Sequence, residues 1–221
     1  VGAGIVGTIA VNQIIENLSL QVGYVASKHI PSVAVFLEGK LRHPFRVYAG
    51  RGGRLVAVIC EVPIASSGFR QIADAIVDWA KKKSVREIVA LDGIPVKGIP
   101  RSRRTFCAAE RERCAELAKL GIQAIKKGYI GGLTGALLME CLARGMPGLA
   151  LLTPATVFIP DASGASQLVS SLNKVYGLNV PTKSLEERGA EIRELLRDAA
   201  KQYKSAVESE QKQYAPGAMY A

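Results

Sequence analysis

Metal-binding and redox side chains are scarce in this chain of 221 residues, which has two histidines, four cysteines and no C-x-x-C pair. His29 and His43 fall in early loops and the cysteines stand apart at Cys60, Cys107, Cys114 and Cys141, so no zinc site is expected. Cys60 lies in an apolar strand pattern and Cys141 in an apolar helix, where a thiol serves as a small buried hydrophobe. No apolar run is long enough to cross a membrane. The most apolar stretch, residues 133–152, is interrupted by Glu140, Arg144, Gly145 and Pro147. No apolar leader flanked by Arg or Lys opens the chain, and a cytoplasmic location is expected. A G-x-S-x-G elbow and a P-loop ending in Lys-Ser/Thr are also missing, so hydrolase and NTPase chemistry lack their working parts.

What the chain does contain is core. Hydrophobic residues make up 48% and charged residues 22%, the balance of an ordinary globular protein with one good core. The net charge is 29 − 19 = +10, which raises the question of nucleic acid. Residues 182–221 are balanced, so the excess sits earlier, in two loop-like stretches: Lys40, Arg42, Arg46, Arg51, Arg54, and Lys97, Arg101, Arg103, Arg104. Neither stretch carries interleaved aromatics, a helix-turn-helix or a zinc finger. A surface that steers an acidic protein partner is the better reading, and no nucleic-acid partner is expected.

Strand-like and helix-like runs alternate along most of the chain. Residues 55–62 and 87–91 read as buried strands, with a helix over 69–83 between them. A helix near 110–120, a strand near 122–125, a helix over 133–143 ending at Gly145 and a strand over 148–152 follow. Another helix spans 164–176, capped from Asp161 or Ser163. Earlier, 5–18 reads as helix and 21–27, 33–37 and 45–48 as three short strands, with a tight turn at Glu38-Gly39-Lys40 joining the last two. The pattern predicts an α/β sandwich with helices on both faces of a mixed, mostly parallel sheet. Ser184-Leu185-Glu186-Glu187 reads as a capping box opening an amphipathic helix, with Leu185, Ile192, Leu195, Leu196, Ala199 and Tyr203 on its apolar stripe. Pro216 and Gly217 stop that helix, and a free tail follows.

Three patterns could carry chemistry. Gly2-Ala3-Gly4-Ile5-Val6-Gly7 spells the dinucleotide fingerprint, but no carboxylate ends the next strand to hold a ribose. Gly131-Gly132-Leu133-Thr134-Gly135 could cradle a phosphate at a helix N-terminus. Tight packing accounts for both turns at least as well. Glu61 and Asp92 close predicted strands where an α/β enzyme would place its site, although capping of the next turn explains them more simply. No catalytic constellation emerges. The tail is different: Met219-Tyr220-Ala221 has the hydrophobic-Tyr-any form of a segment that docks in a protein pocket. Tyr supplies a rigid anchor, Met an apolar filler and the terminal carboxylate a partner for a lysine.

An ordered set of short motifs resembles the proteasome assembly chaperone two family, specifically its archaeal branch. They are Gly4-Ile5-Val6-Gly7, Gly23-Tyr24-Val25, Ser27-Lys28-His29-Ile30-Pro31, Glu38-Gly39-Lys40, Arg42-His43-Pro44, Glu61-Val62-Pro63, Asp78-Trp79-Ala80, Gly93-Ile94-Pro95, Gly132-Leu133-Thr134-Gly135-Ala136-Leu137-Leu138 and Pro160-Asp161. The resemblance implies a three-layer α/β/α core similar to nucleoside phosphorylases, without enzymatic activity or cofactor. It implies an ATP-independent chaperone or activator that binds the α-ring of the archaeal proteasome core particle. On that analogy Met219, Tyr220 and Ala221 insert between α-subunits, and the protein is a homo-oligomer, with a tetramer favoured over a pentamer. The expected organisation is a core over 1–181, a C-terminal helix over 182–214 and a docking tail over 215–221. The competing expectation is a nucleoside- or nucleotide-binding α/β enzyme that uses the two glycine turns. The loop over 97–104 is more basic than the family leads one to expect.

Overall fold

The computed structural model describes residues 2–16, 20–37, 39–50, 52–100, 102–157 and 159–188. In chain order its elements are helix α1 (Val6–Ile15) and strands β1 (Leu20–Tyr24), β2 (Val35–Leu37), β3 (Lys40–Arg42), β4 (Phe45–Ala49) and β5 (Val56–Cys60). Helix α2 (Phe69–Lys82), strands β6 (Ile88–Val96) and β7 (Phe106–Ala108), helix α3 (Arg111–Ala118) and strand β8 (Gln123–Ala124) follow. Helix α4 (Gly132–Ala143), strand β9 (Gly148–Thr156) and helix α5 (Ala162–Tyr176) come last.

The expectation of one mixed, mostly parallel, nucleoside-phosphorylase-like sheet is overturned. The described strands form three small sheets, ordered β1-β4-β5, β2-β3 and β6-β9-β7-β8. Only the β6/β9 and β7/β8 pairs are parallel, while β1/β4, β2/β3, β4/β5 and β7/β9 are antiparallel. Connection length is the reason. A parallel pair needs a crossover of about a dozen residues or more, whereas β4 and β5 are joined by residues 50–55 and no helix separates β6 from β7. The chain therefore turns back on itself in both places. β7 has three residues and had no counterpart in the sequence pattern. The early region also holds four strands rather than three, because the turn at Gly39, with φ 74°, closes β2 onto β3 instead of leading to β4.

The parallel β6/β9 ladder runs through nine register pairs, from Ile88 opposite Gly148 to Val96 opposite Thr156. β9 is buried nearly throughout, as a strand covered on both faces must be. Its odd positions, Leu149, Leu151 and Ala155, join Val6, Ala10 and Ile14 of α1 and Leu168, Val169 and Leu172 of α5 in the main core cluster. Alternation turns Gly148 the other way, against Cys141 of α4, whose smaller cluster includes Val77 and Ala80 of α2. Asp161, one of the two candidates the sequence offers, caps α5 by accepting from Gly164 N at 3.0 Å.

Residues 183–188 are helical, but the cap lies two residues before the predicted one. Thr182 O accepts from Leu185 N and Glu186 N, and Thr182 Oγ1 donates to Glu186 Oε1. Ser184 instead takes a bond from Gln13 Nε2, which also donates to Pro181 O at 2.8 Å. Leu185 is buried in the main cluster, so the base of this helix is fastened to α1 and α5. The remainder of the expected C-terminal helix and tail lies outside the described residues.

Leu168, fully buried between α5 and β9, is expected to cost about 2–5 kcal/mol when cut back to alanine. Urea unfolding of Leu168→Ala, with an unchanged m-value, checks this.

Candidate functional site

Both glycine turns meet on β6. A Cβ on Gly7 would lie 2.1 Å from Leu91 O, and one on Gly2 would lie 1.7 Å from Asp92 Oδ1. The first turn therefore sits directly on the strand, and the space a pyrophosphate would need is filled by protein. Gly4, with φ 59°, passes its carbonyl to Asp161 N at 2.8 Å. The second turn is anchored by Thr134 Oγ1, which donates to Asp92 Oδ2 at 2.7 Å, while Asp92 Oδ1 accepts from Gly93 N at 2.8 Å. Gly135 has no room for a Cβ, which would meet Ile130 O at 2.1 Å. Asp92 does not end its strand as the sequence pattern predicts, since β6 runs on to Val96. It links the two turns.

Glu61 and Arg46 form the second constellation. Arg46 is the second residue of β4 rather than part of a loop, is 1% exposed, and places Nη1 2.7 Å from Glu61 Oε2. Its Nε donates to Tyr48 OH at 2.9 Å and its Nη1 to His43 O at 2.9 Å. Burial alone would lower the guanidinium pKa. The bonds to Glu61 and Tyr48 outweigh it and hold Arg46 above its ordinary value, so the guanidinium stays charged. This one side chain brings the Arg42-His43-Pro44 and Glu61-Val62-Pro63 motifs together.

A second basic stretch is likewise partly internal. Arg103 Nη1 donates to Asp161 Oδ2 at 2.7 Å and to Pro154 O at 2.9 Å. Lys97 and Arg104 face solvent. Arg46 and Arg103 are therefore paired with Glu61 and Asp161 rather than left free at the surface. The histidines have structural partners. The His43 ring stacks on Tyr24 at 4.7 Å and its Nδ1 accepts from Phe45 N at 3.1 Å. His29 lies against Gly68 and Ser67 Oγ. No group of three or more His, Cys, Asp or Glu side chains able to hold a metal occurs among the described residues.

What the sequence reading missed is an apolar surface. Leu20, Val22 and Tyr24 occupy the exposed positions of β1, and Phe36 and Leu41, paired across the β2/β3 ribbon, are 68% and 73% exposed. Nearby in the chain, Ser27, Lys28, Ile30, Pro31, Val33 and His43 line an open hollow of about 470 Å³. The signal was the alternation of Leu20-Gln21-Val22-Gly23-Tyr24, which marks a strand but not which face meets solvent. Exposed apolar side chains are what a protein-binding face would use. Met219, Tyr220 and Ala221 lie outside the described residues.

The pattern of the PAC2 family matches residues 1–200. The chain belongs to the PAC2 family. Pyrococcus furiosus PbaA, described as an archaeal homolog of proteasome-assembly chaperone, is 30% identical with a TM-score of 0.84, over 97% of this PAC2 chain and 90% of its own. P. furiosus PbaB, described as an archaeal proteasome activator, is 25% identical with a TM-score of 0.76, over 90% of each chain. An uncharacterised protein of Methanocaldococcus jannaschii is 28% identical over 214 residues, 96% of this chain and 88% of that protein.

Replacing Arg46 by alanine leaves Glu61 without its cation and is expected to cost about 3–5 kcal/mol. In the double variant Arg46→Met, Glu61→Leu much of that loss should return, and urea unfolding of both reads the difference. A thermal-shift panel of nucleosides, nucleotides and NAD is expected to leave the midpoint unchanged. A true site ligand at a hundredfold its Kd would add about 2.7 kcal/mol.

Proposed function

We propose that this PAC2 protein is an ATP-independent proteasome-assembly chaperone or activator that binds the α-ring of an archaeal proteasome core particle. The observation that carries the reading is the likeness to PbaA, 30% identical over 97% of the chain at a TM-score of 0.84. The site geometry supports binding over catalysis. The glycine turns, Asp92, Glu61 and Asp161 are engaged in holding the fold, and the accessible chemistry is apolar surface with cations beside it.

Met219, Tyr220 and Ala221 are proposed to dock between neighbouring α-subunits, with Tyr220 as the anchor. Three residues bury little area, so one copy binds weakly. A homo-oligomer, tetrameric rather than pentameric, would display several tails and gain affinity through effective concentration where their spacing matches the ring.

Co-sedimentation and peptide hydrolysis with an archaeal core particle test the proposal, comparing the full chain with one lacking Met219, Tyr220 and Ala221. Loss of binding or activation with the tail is the expected result, by at least about 10²-fold if avidity operates. Persistent binding would move the contact to the globular surface, and absence of binding to mature particles and free α-subunits alike would refute the reading.

A further inference from the structure

Two of the four thiols lie in contact. Cys107, at the centre of β7, is fully buried and donates to Cys114 Sγ, 3.8 Å away. Cys114, in the first turns of α3, is half-buried and donates to Ala109 O at 3.4 Å. Their surroundings keep them together. Arg113 grips Glu87 through two bonds of 2.9 Å and Leu117 is completely buried, so α3 is held against the body of the fold on both sides of Cys114. β7 is fixed between β9 and β8.

We propose that Cys107 and Cys114 are a thiol pair that a peroxide or a disulfide-forming oxidant closes into an intrachain disulfide, fastening α3 to β7. With hydrogen peroxide, the Cys114 sulfur, the more accessible of the two, attacks an oxygen and its thiol proton goes to the departing hydroxyl. The O–O bond breaks, water leaves and Cys114 becomes a sulfenic acid. The Cys107 sulfur then attacks the Cys114 sulfur. The S–O bond breaks and the hydroxyl leaves as a second water with the Cys107 proton. Two thiols have lost two electrons, and the peroxide has become two waters. The separation has to shorten from 3.8 Å to about 2.05 Å, so closure requires the two side chains to turn toward each other. Burial, followed by the neighbouring Cys114, pushes the Cys107 thiol up to about 12, so closure is slow compared with an exposed thiol pair. The other two cysteines are differently placed: Cys60 donates to Val62 O, and Cys141 sits in the smaller core cluster with Val77 and Ala80.

Peptide mapping of the full chain tests this. Purified protein is treated with hydrogen peroxide or diamide, denatured, alkylated and cut with trypsin. Cleavage at Arg104, Arg111, Arg113 and Lys119 puts Cys107 on residues 105–111 and Cys114 on residues 114–119. The expected result is one crosslinked pair of these peptides, lighter by two hydrogens. Alkyl tags fall from four to two per chain, and dithiothreitol restores all four. The crosslink should persist when Cys60 and Cys141 are both replaced by serine and vanish in Cys114→Ser. If Cys114→Ser does not fold, the wild-type map decides by itself. Four tags after oxidation, Cys114 oxidised without a crosslink, or a crosslink to Cys60, to Cys141 or between chains would each overturn the proposal.

Discussion

The parallel ladder between β6 and β9 is the constraint on which the rest of the molecule depends. Its nine register pairs give the fold a strand pair long enough for helices to settle on either side. Close settling of those helices demands glycine where backbone meets backbone. Gly7 lets α1 approach Leu91 O, and Gly148 makes room for Cys141 of α4. Asp92, in mid-ladder, then ties the second glycine turn to the strand through Thr134. A fingerprint that looks like nucleotide recognition in one dimension is helix-on-strand packing in three.

The ionic groups follow the same logic. The Asp161 carboxylate caps α5 and accepts from Arg103, while its backbone N–H donates to Gly4 O, so one residue joins the start of α5, the basic loop and the first turn. Arg46 does the same for β4 and the segment after β5. Buried ion pairs of this kind add little to stability compared with a packed apolar substitute, but breaking one leaves a bare charge in a poorly solvating place. That is a reason to read them as devices that hold these loops in a single arrangement. The arrangement leaves apolar side chains of β1 and of the β2/β3 ribbon outside, where they are available for association.

Legibility varied with the range of the interaction involved. Helix α2 was readable almost to the residue, because Ile72, Ala73 and Val77 repeat at helical spacing and Lys81 and Lys82 occupy the last turn. The Asp161 cap was readable for the same reason, since a cap is made within three residues of itself. Strand β7 was not, because three residues carry no period and its identity comes from pairing with Leu151, far along the chain. The cap before Leu185 was displaced for a related reason: Ser184 is drawn to Gln13, 171 residues away, and Thr182 takes over the cap.

The amino-acid sequence by itself determined roughly where most helices and strands lie, though not where β6 and β9 end, the absence of a recognisable nucleophile or P-loop motif, and the ordered motifs that resemble a chaperone family. These are local properties, set by side-chain periodicity, capping chemistry and residue type. Sheet partnership was decided only in three dimensions. Strand direction depends on how each connection is routed, and the short links before β5 and β7 made antiparallel what alternating elements suggest is parallel. The same is true of charge. Nothing local distinguishes Arg46 and Arg103 from their solvent-facing neighbours, and only the carboxylates that fold against them take them out of the basic surface.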